Sequence, residues 1–266
     1  MAASGTPVVF VHGLWLPADS WGAWVDVFRE AGYVPSAPGW PGDGATIEET
    51  RSNPGRVAGH GIGDIVEHYA QHIKGLHAKP IVIGHSFGGL IAQRLLGDGL
   101  AVAAVAIDPA PAKGVMFLPP SALRVASIVL RNPANRNRAV ALNAKQFRYG
   151  FGSAVSEAES NELYERWAIP SPGKPLFEAA LANFVPRSPA KVNTDNATRG
   201  PLLITAGGKD HTVPATISKQ TLKLYRKSPA VTELKEFPDR GHSLALDSGW
   251  RDVADATLGW LKGHSL

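Results

Sequence analysis

Four short runs in this chain are apolar almost without interruption: Pro7–Val11 (PVVFV), Pro80–Ile83 (PIVI), Val102–Ile107 (VAAVAI) and Leu202–Thr205 (LLIT). A strand with one wet face alternates apolar and polar residues. Runs that are polar on neither face belong in a sheet covered by helices on both sides, and such sheets are parallel. The segments between the runs have helical spacing. Ser20–Ala31 offers Ser20 as an N-cap and places Trp21, Trp24, Val25 and Phe28 on one stripe before Gly32 stops it. Residues 62–78 and Phe87–Leu96 read as further helices, the second closed by Gly97 and Gly99. Tyr33–Ala37 is a short strand that ends in the breaker cluster Pro38-Gly39-Trp40-Pro41-Gly42.

The rhythm fails between Ala110 and Arg199, where prolines crowd among short helical stretches such as Glu157–Trp167 and Leu176–Phe184. It resumes with Leu202–Thr205, a helix near Ala215–Arg226, the strand Val231–Phe237 and a last helix over Trp250–Leu261. The pattern predicts an α/β fold with a mostly parallel sheet of about six strands, helices on both faces, and a helical insertion after the fourth strand. Residues 1–109 and 200–266 form the core in this reading. Residues 110–199 form a cap or lid, because an insertion of that length is too long for an idle loop.

Composition narrows the partners. The longest apolar run, Leu100–Ile107, has eight residues, whereas a membrane span needs ~20. Only six residues precede Pro7 and no basic leader is visible, so a cytoplasmic address without a signal peptide is expected. The absence of cysteine excludes disulfides, thiolate catalysis and Cys-ligated metals. No cluster of acidic or histidine ligands suggests a metal, and no cofactor is expected. The formal net charge is +4, but residues 110–200 hold 12 Lys/Arg against 6 Asp/Glu. That bias leaves an anionic leaving group open, though solubility is the simpler account. There is no basic-aromatic repeat of the kind that binds nucleic acid. The sequence carries no signal for oligomeric state.

Chemistry enters at the end of the third strand, where Gly84-His85-Ser86-Phe87-Gly88-Gly89 contains G-x-S-x-G. Chance alone supplies roughly 0.2 such matches in a chain of this composition, so the context decides. Here the pattern follows Ile81-Val82-Ile83 and opens an apolar helix. In that setting a sharp strand-to-helix turn lifts the serine Oγ above the sheet, and the glycines let backbones pass closely. A serine nucleophile also needs a base for its proton and an acid to orient that base.

With these residues the chain resembles the α/β-hydrolase superfamily, and the resemblance covers nearly its whole length. The family's chain order is Ser, then Asp or Glu, then His. Gly207-Gly208-Lys209-Asp210-His211-Thr212-Val213-Pro214 is similar to the family's acid turn, and Asp239-Arg240-Gly241-His242-Ser243 to its base loop. The resemblance therefore implies a triad of Ser86, Asp210 and His242. Asp108, which ends the fourth strand, is a rival acid because some members use that position, but the Asp210 turn fits better. His211 competes with His242 as the base on residue type alone. His85 reads as structural, His60, His68, His72 and His77 as solvated helix surface, and His264 as tail. His12-Gly13 at the end of the first strand resembles the H-G pair that precedes an oxyanion-hole residue. That implies Leu14 and Phe87 as the two N–H donors.

The likeness is strongest to small six-stranded members, the plant methylesterase and hydroxynitrile lyase group and bacterial carboxylesterases. The lyases carry Thr at the Gly13 position and Lys after the catalytic His, so Gly13 and Ser243 disfavour that branch. Dehalogenases and epoxide hydrolases of the fold use an aspartate nucleophile, which Ser86 excludes. The resemblance implies a cofactor-free serine hydrolase that cleaves carboxylic esters of small to medium apolar substrates through an acyl-enzyme. Trp15, Met116, Phe117, Leu118, Phe147, Phe151, Trp167 and Phe184 are the pocket candidates. A triad-retaining small-molecule receptor and a cofactor-independent oxygenase on the same fold stay open as alternatives.

Overall fold

The computed structural model describes residues 5–266. Strands β1 (Pro7–Val11), β2 (Val34–Ser36), β3 (Ile81–His85) and β4 (Ala103–Ile107) are joined by helices α1 (Gly22–Glu30), α2 (Ile47–Ser52), α3 (Ile62–Lys74) and α4 (Phe87–Gly97). An excursion then runs through α5 (Pro120–Leu130), β5 (Ala139–Val140), α6 (Ala144–Gly150), α7 (Glu157–Trp167), β6 (Ser171–Pro172) and α8 (Lys174–Ala180). The chain returns through β7 (Leu202–Gly207), α9 (Ala215–Leu224), β8 (Thr232–Phe237) and α10 (Trp250–Gly263). The main sheet has six strands in the order β2-β1-β3-β4-β7-β8, and every pairing in it is parallel. The two-residue strands β5 and β6 pair antiparallel within the excursion.

The apolar runs are buried on both faces because alternate residues feed different cores. Val9, Val11, Val82, Ala104, Ala106 and Ile204 pack with α3 and α4. Val8, Phe10, Ile81, Ile83, Val105 and Leu203 pack with Trp24, Val27 and Phe28 of α1 and with Val253, Leu258 and Leu261 of α10. Two covered faces leave no polar register for these strands, which is why the alternation expected of a half-wet strand is missing. Among the described strands, β8 at the sheet edge alternates half-buried and exposed residues over Thr232–Lys235. Val125, Val129, Leu142, Phe147, Phe151 and Leu163 of the excursion join the same core as α3 and α4.

Strand order reverses between β1 and β3, which lie side by side with Val11 opposite Gly84. Open parallel sheets bind ligands at such a switch point, beyond the C-terminal strand ends.

Some local readings shift. Ser20 does not cap α1; it lies inside a 3-10 turn over Ala18–Trp21, and its Oγ donates to Pro17 O at 2.7 Å. The tertiary contacts of Trp21, buried against Phe10, pull the start of the helix to Gly22. His72 is half-buried and hydrogen-bonds Ser36 Oγ at 3.1 Å. His264 is tied to Glu233 Oε1 at 3.0 Å and packs on Trp260, so it is not a loose tail.

Candidate active site

The turn from β3 into α4 needs its glycines. A Cβ on Gly84 would lie 2.0 Å from Gly88 O, and one on Gly88 would lie 2.0 Å from Val11 O. With both absent, the chain passes close enough for Ser86 to adopt φ 57 and ψ −120, an uncommon conformation for a residue with a side chain. The strain is held by hydrogen bonds on both sides: Ser86 N donates to Ile107 O, and Ser86 O accepts from Gly89 N and Ala110 N, each at 2.9 Å.

The loop after β1 approaches this turn through Gly13, where an added Cβ would sit 2.8 Å from Ser86 Cβ. His12 braces the loop. Its Nδ1 donates to Gly13 O at 2.9 Å, its Nε2 accepts from Trp40 N at 3.2 Å, and its ring stacks on Trp40. The Leu14 and Phe87 N–H groups donate to no group among the described residues. Trp15 follows at φ 66 and is fixed by the excursion: its N–H donates to Ser171 Oγ, its indole Nε1 to Val140 O, and its carbonyl accepts from Ile169 N.

Asp210 and His242 meet beyond β7 and β8. His242 Nδ1 lies 2.6 Å from Asp210 Oδ2, and both side chains are fully buried. The other carboxylate oxygen, Oδ1, accepts from Thr212 N at 2.7 Å and Val213 N at 2.8 Å. Burial works against the charge on Asp210, but the His242 ring and these donors hold its pKa below the ordinary carboxylate value. His242 Nε2 is buried and has no hydrogen-bond partner among the described residues. The His242 ring is wedged between His85 and Phe151, at centroid distances of 4.6 and 4.9 Å.

Asp108 sits beside this pair without touching the histidine through a hydrogen bond. Its Oδ1 accepts from Thr205 Oγ1 at 3.0 Å and its Oδ2 from Gly207 N at 2.9 Å. Burial, then the charge of Asp210, push its pKa well above the usual range. Two neighbouring buried carboxyls cannot both ionise cheaply, so Asp108 holds the proton. One ligand atom from each of Asp108, Asp210 and His242 falls within 4.8 Å of the others. These oxygens are already taken up by hydrogen bonds from Thr205, Gly207, Thr212, Val213 and His242, so the donor set fits a braced histidine rather than a cation shell.

The other histidines near the site have separate partners. His85 lies 2.9 Å from His242 O through Nε2, and burial, followed by His242, pushes its pKa down to about 3. It is a neutral brace under the loop that carries His242. His211 donates through Nδ1 to Tyr149 O at 3.0 Å and packs on that ring.

Ser86 opens into a cavity of about 220 Å³ walled by α5 and α8. Of the pocket candidates, Trp15 and Leu118 line it. Phe147 and Phe151 are core, with Phe151 packed on His242. Met116, Phe117 and Phe184 do not reach it; they are 76%, 60% and 83% exposed on the outer surface. Trp167 lines a separate, larger groove of about 790 Å³ between α1 and α7, which includes none of Ser86, Asp210 and His242. A reading by residue size picks out aromatics, whereas the wall is built of small and aliphatic side chains such as Ala122, Ala126, Leu130, Leu176 and Ala179. Ala122, Ala126 and Leu130 lie on α5 and Leu176 and Ala179 on α8, and their only trace in the sequence is the apolar character of these two short helical segments.

A family model described as the alpha/beta hydrolase family matches residues 8–256. The chain belongs to the alpha/beta hydrolase family. Among solved structures, this alpha/beta hydrolase superposes on a monoacylglycerol lipase from Paleococcus ferrophilus at TM-score 0.70 and 22% identity, covering 98% of this chain and 96% of that one. A methylesterase from Arabidopsis matches at TM-score 0.65 and 16% identity, over 97% and 99% of the two chains. An extracellular alpha/beta-hydrolase from a Paenibacillus species matches at 0.66 and 19%, over 96% and 98%. At these identities the likeness is one of fold. No curated protein sequence matches the chain. No helix among the described residues of this hydrolase is long and apolar enough to cross a membrane.

Proposed function

We propose that this alpha/beta hydrolase cleaves carboxylic esters through an acyl-enzyme on Ser86. The observation that carries the reading is His242. Asp210 fixes its Nδ1 and leaves a buried Nε2 without a hydrogen-bond partner among the described residues, and the ring packs on His85, the residue that precedes the strained Ser86 turn. In this mechanism Nε2 takes the proton of Ser86 Oγ as the oxygen attacks the acyl carbon. The Leu14 and Phe87 N–H groups receive the oxyanion, each worth ~3–4 kcal/mol in the transition state. The Asp210 carboxylate stabilises the imidazolium, which then protonates the departing alkoxide. Water attacks the acyl carbon with His242 as base and frees Ser86. Residues 110–199 act as the cap, since they supply eleven of the seventeen residues that line the cavity, eight of them from α5 and α8.

The substrate is a neutral, small to medium ester. Among the described residues no charged side chain lines the cavity, whose walls are Trp15, Phe87, Leu118, Leu130, Leu176 and other apolar residues beside Ser86 and Thr212. Burying an unpaired charge there costs far more than an acyl chain gains. Turnover of p-nitrophenyl esters from acetate to longer chains tests the reading. Ser86→Ala is expected to fall below about a hundredth of the wild-type rate with an unchanged melting curve. A variant that keeps more than that rate removes Ser86 as the nucleophile.

A further inference from the structure

Exposed apolar side chains are not scattered over this molecule. Among the described residues, six of the seven large ones lie in two short segments, Met116, Phe117 and Leu123 in one and Leu181, Phe184 and Val185 in the other. Both segments border the cavity over Ser86: Leu118, Ala122 and Leu123 line it from one side and Ala179 and Ala180 from the other. The exposed residues therefore form a rim around its mouth. The rim is built to stay exposed. Asn183 accepts from Gly114 N at 2.7 Å and donates to Val115 O at 2.8 Å, locking the two segments together. Gln220 of α9 accepts from Met116 N and Phe117 N and donates to Phe117 O. Lys113 Nζ donates to Val185 O at 2.6 Å. Polar clamps hold the backbone while the apolar side chains project into water, at a cost that an isolated surface has no reason to bear.

The charge of the two segments is mainly basic. From Ala110 to Ser156 the chain carries seven Lys/Arg and no Asp/Glu, and from Ala179 to Thr194 it carries Arg187 and Lys191, with the acids Glu178 and Asp195 only at the two ends of that stretch. An apolar crown set in a basic field matches an anionic lipid surface, where inserted side chains and surface charge add. It does not match a second copy of the chain, because a two-fold contact would face this basic field with itself. We propose that the rim of Met116, Phe117, Leu123, Leu181 and Phe184 docks on an anionic lipid surface, so that the cavity opens onto the lipid phase and takes its substrate from there.

Co-sedimentation with vesicles tests this, using the full chain as Ser86→Ala so that binding is read apart from any chemistry. The protein is expected to sediment with phosphatidylcholine–phosphatidylglycerol vesicles, more weakly with phosphatidylcholine alone, and less as salt rises. The double variant Phe117→Ser/Phe184→Ser is expected to lose at least about tenfold in partitioning with an unchanged melting temperature. Failure to bind anionic vesicles overturns the proposal, as does a double variant that binds like its parent. So does a dimer in velocity sedimentation that the double variant dissociates, because the rim would then be covered by a second copy.

Discussion

Two buried carboxyl groups beyond neighbouring strand ends are pushed to opposite protonation, and the difference comes from the charge each one faces. Asp210 faces the His242 ring and accepts from two backbone N–H groups, which outweigh its burial and keep it ionised. Asp108 faces the Asp210 carboxylate, and burial with that charge outweighs the hydrogen bonds it accepts from Thr205 and Gly207, so it keeps its proton. The histidine contact makes Asp210 the acid of the proposed triad, so Asp210→Asn is expected to lower kcat on the order of 10³–10⁴-fold, since an amide presents the wrong partner to the imidazole N–H. Asp108→Asn is already close to the protonated side chain in shape and charge, and its loss is expected to be within about tenfold, because it removes no histidine contact. Steady-state kinetics on both variants, with melting temperatures as the control for packing, checks the pair. A crippled Asp108→Asn beside a mild Asp210→Asn would reverse the roles.

At the scale of elements, the β3–α4 turn is where spacing matters most. A methyl at Gly88 meets Val11 O of β1, backbone that no rotamer change can move. Gly88→Ala is expected to destabilise the fold by about 3 kcal/mol or more, the upper range for overpacking. Gly259 lies inside α10 with open space around its Cα, so Gly259→Ala is expected to stabilise by up to about 1 kcal/mol through helix propensity alone. Urea midpoints on the two variants check both signs. The excursion shows the same logic of distant support: Glu178 of α8 accepts from Ile62 N at 2.7 Å and so caps α3 from another part of the chain.

Over the whole molecule, the buried site makes stability depend on pH. His85 has its pKa depressed from 6.5 to about 3. Between those values the unfolded chain binds a proton that the native state refuses, so stability falls as pH falls through that window. The lowered Asp210 adds in the same direction, because its stabilisation is lost as its carboxylate protonates. Asp108 has the opposite sign: its raised pKa favours folding at low pH, and that share is lost as pH rises. His85→Gln, which keeps a donor for His242 O but cannot ionise, is expected to show a smaller drop in melting temperature than wild type on going from 6.5 toward 3. A parallel drop in both proteins would place the acid sensitivity elsewhere.

Much of this architecture is legible in the chain itself. The apolar runs of β1, β3, β4 and β7, the glycines around Ser86, and the break in rhythm after Ile107 each depend on near neighbours, and local sterics and periodicity act over a few residues. The Asp210 turn and the His242 loop stand out only through their resemblance to the corresponding segments of the family. What only the tertiary structure decided are questions of distance. Whether Asp108 or Asp210 touches His242 depends on how β4, β7 and β8 lie in register. Whether Phe184 faces a cavity or water depends on where Asn183 is held by Gly114 and Val115, some seventy residues away in the chain. Ser20 has the residue type of an N-cap, but the packing of Trp21 on Phe10 overrode it. Burial and pairing across the chain are sums over partners that no local window contains, so the residue types announce the chemistry while the fold assigns each side chain its place.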